Sequence, residues 1–270
     1  MKKTIQGVTV QNTENHSVFI LSELSEELKN IIKTRLSAIC HGVAKADSGS
    51  ALYCYKSTLK EFLKRYTQKS PDQQKGMIGE LLLHMLISES LNEYEINSPF
   101  FNTEERNVKK GFDVVLNKKG STDIWLAESK SGELHTGKNT SQTVVDLIGK
   151  AQNDLYNRLN GDSVSLWYNA VNGASLAIKQ ERDDKEAIIA LLENYGILAD
   201  NSELKSTDMN VILVGTVFNA TTDPIQVSKI QEKYVRVDNS KKFRNVYLVA
   251  IQKNTYTAIY DFLESEASGE

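Results

Sequence analysis

The chain has 270 residues, of which 40% are hydrophobic and 25% are charged, and its formal net charge is −3. This is the composition of a globular protein with enough apolar material for a real core, and it excludes a chain that binds polyanions through its overall charge. The two cysteines are too few for a disulfide framework. No apolar run approaches the roughly 20 residues of a membrane span, and polar residues follow the basic start where a signal peptide needs an apolar core. The sequence therefore predicts a soluble, cytoplasmic protein.

Residues 1–69 are predicted to form an N-terminal helical region. Apolar residues recur at helical spacing before Gly42, which is a suitable residue to end a helix. A second helix follows, and its Lys56, Lys60 and Lys64 lie on one face at four-residue steps. Such a stripe is most often a solvated face; if it is functional, it contacts phosphates without reading bases.

Residues 70–270 are predicted to form the core, in one compact unit with the N-terminal region. Its clearest helix begins after Ser70 and runs to about residue 91, because a capping serine, a proline at the first helical position and Gln73 form a helix-start signature. Val-, Ile- and aromatic-rich segments predict strands at 94–101, 111–116, 124–130, 210–218 and 243–252. Helices are predicted at 141–159 and at 186–195, the second stopped by Gly196, whereas 229–237 is ambiguous and the tail after residue 262 is expected to be frayed.

Two of the predicted strands carry the residues that point to chemistry. Asp113 opens one strand, and Glu128 and Lys130 end the next, where residues two apart point to the same face. Antiparallel pairing across the turn at 117–120 would bring Asp113 close to Glu128. Two carboxylates repel each other unless a cation lies between them, and oxygen ligands without histidine or cysteine favour Mg²⁺ or Mn²⁺. Such a metal would bind a scissile phosphate and activate a water, while Lys130 would orient that water or offset the charge that builds on phosphorus.

A third acid, Glu80, lies within the apolar stripe of the helix that begins after Ser70. A carboxylate in such a stripe needs a partner, and a metal ion, Lys130 or a bound water would serve. Gly76 and Gly79 each lower the helix propensity by about 1 kcal/mol relative to alanine. We expect these glycines to allow close approach of the strand that carries Asp113.

This order of residues resembles the PD-(D/E)xK nuclease superfamily, in which a helix glutamate precedes a strand aspartate and a following strand carries Glu-x-Lys. The matching positions are Glu80, Asp113, Glu128 and Lys130; the proline that leads the family motif is replaced by Phe112. The resemblance implies an α/β fold with a restriction-endonuclease-like central mixed sheet flanked by helices. It also implies Mg²⁺-dependent (or Mn²⁺-dependent) hydrolysis of DNA, with the three acids as metal ligands and Lys130 as the catalytic lysine.

One branch of this superfamily, the RecB-type nucleases, carries Gln-x-x-x-Tyr on the next helix, and Gln152 and Tyr156 match that motif. The resemblance implies that Gln152, and Tyr156 with it, line the site. A narrower resemblance, carried by residues 79–82, 111–113 and 125–130, is to HamA, the nuclease subunit of the Hachiman anti-phage defence system. It implies a superfamily 2 helicase partner, and this chain has no G-x-x-x-x-G-K-[ST] loop for ATP work of its own.

A second hypothesis is a catalytically silent subunit that keeps the nuclease fold and serves as a nucleic-acid-binding or scaffold module. In that case Asp113 and Glu128 make ordinary salt bridges at strand ends. Lys109 and Lys110, together with the lysine stripe and Tyr156, are candidate nucleic-acid contacts under both hypotheses. A zinc site is poorly supported, because the neighbouring cysteines and histidine supply three ligands and no fourth at suitable spacing.

Overall fold

The computed structural model describes residues 5–101, 111–161 and 164–269. Its strands are β1 (Val8–Asn12), β2 (His16–Leu21), β3 (Tyr94–Ile96), β4 (Val114–Lys118), β5 (Ile124–Glu133), β6 (Asn210–Phe218) and β7 (Asn245–Lys253). Its helices are α1 (Glu26–His41), α2 (Val43–Ala46), α3 (Tyr55–Thr67), α4 (Pro71–Ser90), α5 (Thr140–Leu159), α6 (Val164–Ala177), α7 (Lys185–Asp200), α8 (Val227–Asn239) and α9 (Thr257–Ser268). Two short 3-10 helices, Ala51–Tyr53 and Ser206–Asp208, complete the described elements.

These seven strands form one mixed sheet in the order β1-β2-β7-β6-β5-β4-β3. The centre is parallel, because β2 pairs with β7, β7 with β6 and β6 with β5 in the same direction. The two margins are antiparallel, with β1 on β2 at one side and β5-β4-β3 at the other. The mixed sheet that the sequence predicts is therefore confirmed.

The sheet has an apolar layer on each face. Alternate residues of β5 divide between them: Trp125 and Ala127 pack with α1, α3, α4 and α9, whereas Leu126 packs with α5, α6, α7 and α8. We call these the α4 face and the α5 face. Residues of β5 with even numbers, which include Glu128 and Lys130, thus point toward α5.

Several predicted elements are confirmed. The helix predicted after Ser70 is α4, whose capping box is formed by the Ser70 and Gln73 side chains with each other's backbone N–H groups. The predicted strands at 111–116 and 124–130 are β4 and β5, the helix at 141–159 is α5, and those at 210–218 and 243–252 are β6 and β7. The ambiguous segment at 229–237 is helical, within α8.

Other predictions about local structure are wrong. α7 does not stop at Gly196 but continues to Asp200, and Gly196 lies against the Trp167 side chain, so that packing determines its place. The tail forms α9, because Ile259 and Leu263 bury one side of it in the α4-face layer. The strand predicted at 94–101 ends at residue 96.

The N-terminal region is not purely helical, since β1 and β2 join the sheet. Its predicted helices are present as α1, which ends before Gly42, and α3. Lys56, Lys60 and Lys64 are exposed on α3, as a solvated face would be. Lys109 and Lys110 lie outside the described residues. Among the helices that the structure describes, none is long and apolar enough to cross a membrane.

Gly79 permits close packing of α4, but on β5 and β6 instead of the strand that carries Asp113. A Cβ atom on Gly79 would overlap the Oγ of Ser131 and lie 3.4 Å from the Cβ of Thr216. A Cβ on Gly76, one turn earlier, would meet no atom within 4 Å. The two glycines of one helix therefore have different roles, and only Gly79 is required by packing.

We expect Gly79→Ala to lower the free energy of unfolding by about 1–3 kcal/mol, because overpacking must displace α4 or the Ser131 side chain. The matched control Gly76→Ala should raise it by up to about 1 kcal/mol through helix propensity. Urea denaturation of both variants measures the difference. Equal effects of the two substitutions would contradict the packing role of Gly79.

Candidate active site

Asp113 lies immediately before β4 and is tied to the neighbouring strand. Its Oδ2 accepts a hydrogen bond from the backbone N–H of Ser129, at 2.7 Å. In the β4–β5 ladder Val114 lies opposite Ala127, and one step further along Asp113 lies opposite Glu128. The predicted antiparallel approach of Asp113 to Glu128 therefore occurs, and a side-chain hydrogen bond extends the ladder at this point.

Glu128 and Lys130 point to the α5 face and form an ion pair. The Nζ of Lys130 is 2.9 Å from the Oε1 of Glu128 and also 2.9 Å from the Oδ2 of Asp154 on α5. The Glu128 side chain is only 2% exposed, whereas that of Lys130 is 29% exposed. The lysine thus connects a buried acid of the sheet to a solvent-facing acid of the helix.

Arg158, one turn after Asp154 on α5, completes the group. Its Nη1 donates to the Oε2 of Glu128 at 2.7 Å, and its Nη2 donates to the backbone carbonyl of Gly111. Both carboxylate oxygens of Glu128 are therefore held by cations. Arg158 also joins the loop before β4 to the middle of β5.

The charges of this group do not balance. Asp113, Glu128 and Asp154 supply three negative charges and Lys130 and Arg158 two positive ones, which leaves a formal charge of −1. Burial and, next in size, the nearby Asp113 carboxylate raise the pKa of Glu128 to about 7, against the opposing effect of the two cations. Burial alone would lower the pKa of Lys130, but the carboxylates of Glu128 and Asp154 outweigh it and raise that pKa.

The arrangement fits a divalent cation held by Asp113 and Glu128. The two carboxylates lie opposite each other across adjacent strands, and the charge of Asp113 disfavours ionisation of Glu128, which a cation between them would relieve. Their oxygen donors suit Mg²⁺ or Mn²⁺. In the described part of the chain no three His, Cys, Asp or Glu side chains are gathered as a metal site, so the three-carboxylate set with Glu80 is not assembled there.

Glu80 follows Gly79 on α4 and is half-buried. Gly79 packs on Ser131, whose side chain is on the α4 face, so α4 lies across the sheet from the Glu128 carboxylate. Burial raises the pKa of the Cys40 thiol, and the Glu80 carboxylate contributes to that rise, which places its charge near α1. The structure thus leaves Glu80 on the other side of the sheet from the ion-paired group.

Gln152 and Tyr156 lie on the side of α5 that faces α8. The Nε2 of Gln152 donates to the Oγ of Ser240 at 3.3 Å, and its Oε1 accepts from Lys233 at 3.4 Å. The Nζ of Lys242 lies 4.5 Å from the centroid of the Tyr156 ring. At about 100° per residue, Gln152 is roughly 200° around the helix from Asp154. The structure therefore does not bring Gln152 or Tyr156 to Glu128.

Sequence reasoning missed Asp154 and Arg158. They are four residues apart, as Gln152 and Tyr156 are, so that α5 carries two interleaved pairs on different sides. An acid and an arginine at this spacing, on the helix that follows a Glu-x-Lys strand, are the signal that could have revealed them. The helical phase alone did not decide which pair faces the sheet.

The fold and the site together define a mixed α/β protein in which adjacent strands present an aspartate and a Glu-x-Lys motif to a covering helix. A family model described as HamA matches residues 2–267, and the chain belongs to the HamA family. This membership supports its assignment as a component of the Hachiman anti-phage defence system. No curated protein matches the chain.

The raised pKa of Glu128 has a consequence for stability. A carboxyl whose pKa is about 7 in the folded protein and 4.5 ordinarily takes up a proton on folding between those pH values. We expect the free energy of unfolding of the wild type to fall relative to that of Glu128→Gln as pH rises through this window, by on the order of 3 kcal/mol. Above pH 7 the gap should stay constant.

Urea denaturation at a series of pH values measures this gap. Glu133→Gln, which replaces an exposed acid of the same strand, is the matched control and should show no such course. The prediction is contradicted if the wild type becomes more stable relative to Glu128→Gln as pH rises, or if their difference in free energy of unfolding does not change with pH. Either result would show that Glu128 is ionised without penalty.

Proposed function

We propose that this protein is a metal-dependent DNA nuclease of the PD-(D/E)xK type, with a restriction-endonuclease-like core. The observation that carries the proposal is the convergence of Asp113, Glu128 and Lys130 at one end of the β4–β5 pair. The chain order α4, β4, β5, α5 also agrees with the order of elements that the superfamily resemblance implies.

In this proposal Asp113 and Glu128 hold the divalent cation, which when bound polarises the phosphate and acidifies a water. Lys130 is protonated, because the flanking carboxylates of Glu128 and Asp154 raise its pKa. It therefore serves as a hydrogen-bond donor and a positive charge and not as a general base. Asp154 holds the ammonium group in place, and the 29% exposure of Lys130 leaves it accessible to a phosphate.

We further propose that the nuclease acts in anti-phage defence together with a superfamily 2 helicase. Membership of the HamA family supports the defence setting. The helicase would supply the ATP-dependent work for which this chain carries no P-loop motif. The superfamily resemblance, and the phosphodiester chemistry that the group suits, support DNA as the proposed substrate.

Cleavage assays test the enzymatic proposal. Plasmid, linear duplex and single-stranded DNA are incubated with the purified protein and Mg²⁺ or Mn²⁺, with and without the helicase. We expect cleavage that EDTA abolishes, and a fall of at least about 100-fold in Glu128→Gln and Lys130→Gln, because each removes a charge that the transition state needs. Lys150→Gln, at an exposed position of α5, should cut as the wild type does.

A second candidate is favoured by one observation, namely that both oxygens of Glu128 are occupied by cations of the chain itself. Such a closed group suits a catalytically silent subunit that binds nucleic acid or serves as a scaffold. That subunit would bind DNA equally in EDTA and in Mg²⁺, and would cut under no condition.

If Glu128→Gln and Lys130→Gln still cut DNA, the proposed active site is wrong even though the protein is a nuclease.

A group of cations on the α8 side of α5 suits the DNA backbone. Arg236 and Lys242 lie near Lys233: burial lowers the pKa of Lys233, and the charges of these two residues lower it further against the opposing effect of Asp146. Lys242 also donates to Asn153, the residue before Asp154. We call Lys233 and Arg236 of α8, together with Lys242 just after it, the α8 cations. We propose that they contact phosphates along the side of α5 that carries Tyr156, which packs beneath Lys242.

We expect Lys242→Gln and Arg236→Gln each to reduce the slope of log Kd against log salt concentration by roughly 0.9 for duplex DNA, because each removes one phosphate contact. Fluorescence anisotropy in Ca²⁺, at several salt concentrations, gives the slopes. Lys60→Gln on the α3 stripe is the control. An unchanged slope in both α8 variants, with a reduced slope in Lys60→Gln, would place the DNA on α3 instead.

A further inference from the structure

Arg158 occupies one side of the carboxylate that is needed to hold a metal ion. Its Nη1 is 2.7 Å from the Oε2 of Glu128, while the Oε1 of Glu128 is taken by Lys130. Asp113 lies opposite Glu128, so the charge of Arg158 sits beside the place where a cation shared by the two acids would lie. A guanidinium and a divalent cation on the same carboxylate repel each other.

The two cations on Glu128 are not equivalent. Lys130 is also held by Asp154, so it keeps an acidic partner if it leaves Glu128. Among the residues that the structure describes, Glu128 is the carboxylate that pairs with Arg158. Arg158 lies in the last turn of α5 and its side chain is 29% exposed, which gives the guanidinium a path to solvent.

An arginine cannot give up its charge at ordinary pH, so it can make way for another cation only by moving. In its present place it serves a purpose, because an unpaired buried carboxylate would be strongly unfavourable. Arg158 therefore offsets the charge of Glu128 and orients its carboxylate while no metal ion is bound. The same contact competes with metal binding.

We propose that Arg158 is a positioning residue that acts as an internal substitute for the divalent cation, and that it leaves Glu128 when the metal binds. The inference rests on the proposed function, since it takes Glu128 as a metal ligand. It assigns to this chain an intrinsic restraint on metal affinity that requires no partner. Metal binding and release of Arg158 are then one coupled step.

The test is Mn²⁺ binding to the full chain without DNA. Calorimetry and the electron paramagnetic resonance signal of free Mn²⁺ both measure this binding. We expect Arg158→Gln to bind Mn²⁺ about 10-fold more tightly than the wild type, and Arg158→Lys to stay close to the wild type. Lys150→Gln, which removes an exposed charge from the same helix, should change the affinity less than about 2-fold. Glu128→Gln should abolish binding in every background. A merely structural role of Arg158 predicts weaker binding on its removal, not tighter.

Unchanged or weaker Mn²⁺ binding in Arg158→Gln, or equal tightening in Lys150→Gln, overturns the inference. The proposed function stands as long as Mn²⁺ binding depends on Glu128. Absence of Mn²⁺ binding in all variants overturns both. A second measurement covers the case in which Arg158→Gln fails to fold. The arginine Nε–Hε resonance of Arg158 in the wild type, assigned with Arg158→Lys, should shift as Mg²⁺ is added, and an unmoved resonance at saturation also overturns the inference.

Discussion

The buried carboxylate of Glu128 is the constraint on which the rest of the site depends. An ionised acid that is 2% exposed is tolerated only with close cationic partners, and the chain supplies them from two directions. Lys130 comes from the same strand and Arg158 from the helix above it. The acid therefore also constrains the position of α5 over the sheet, because a small shift of that helix would remove the Arg158 guanidinium from one of its oxygens.

The sheet allows α5 to pack closely against it. A Cβ on Gly215 of β6 would lie 2.8 Å from the carbonyl oxygen of Val144, so the absence of a side chain there lets the helix backbone approach the strand closely. The helix begins at a capping box formed by Asn139 and Gln142, which fixes its first turn. The first residue of α5 and the distance of the helix from the sheet together determine which α5 residues face the Glu128 carboxylate about four turns later. Packing at one end of the helix thus sets the chemistry at the other.

The parts of this picture that depend on local pattern could be predicted from the sequence. The α4 capping box, the β4–β5 hairpin and the pairing of Asp113 with Glu128 follow from residues close together in the chain. The parts that depend on tertiary contacts could not. Which side of α5 faces the sheet, and on which face of the sheet Glu80 lies, are decided by layers built from distant segments. α9 was missed for the same reason, since its two buried residues gain their significance only from the layer that receives them.

The position of β2 in the sheet has a consequence for how the chain is made. This strand lies between β1 and β7, and its His16 is paired with Leu248 of β7, which follows the other six strands in the chain. During synthesis β2 is therefore made long before β7, its second neighbour in the sheet. A product broken off before β7 keeps open edges on β2 and β6, which invite pairing with other chains. Incomplete copies that lack β7 should therefore aggregate and not persist as folded protein.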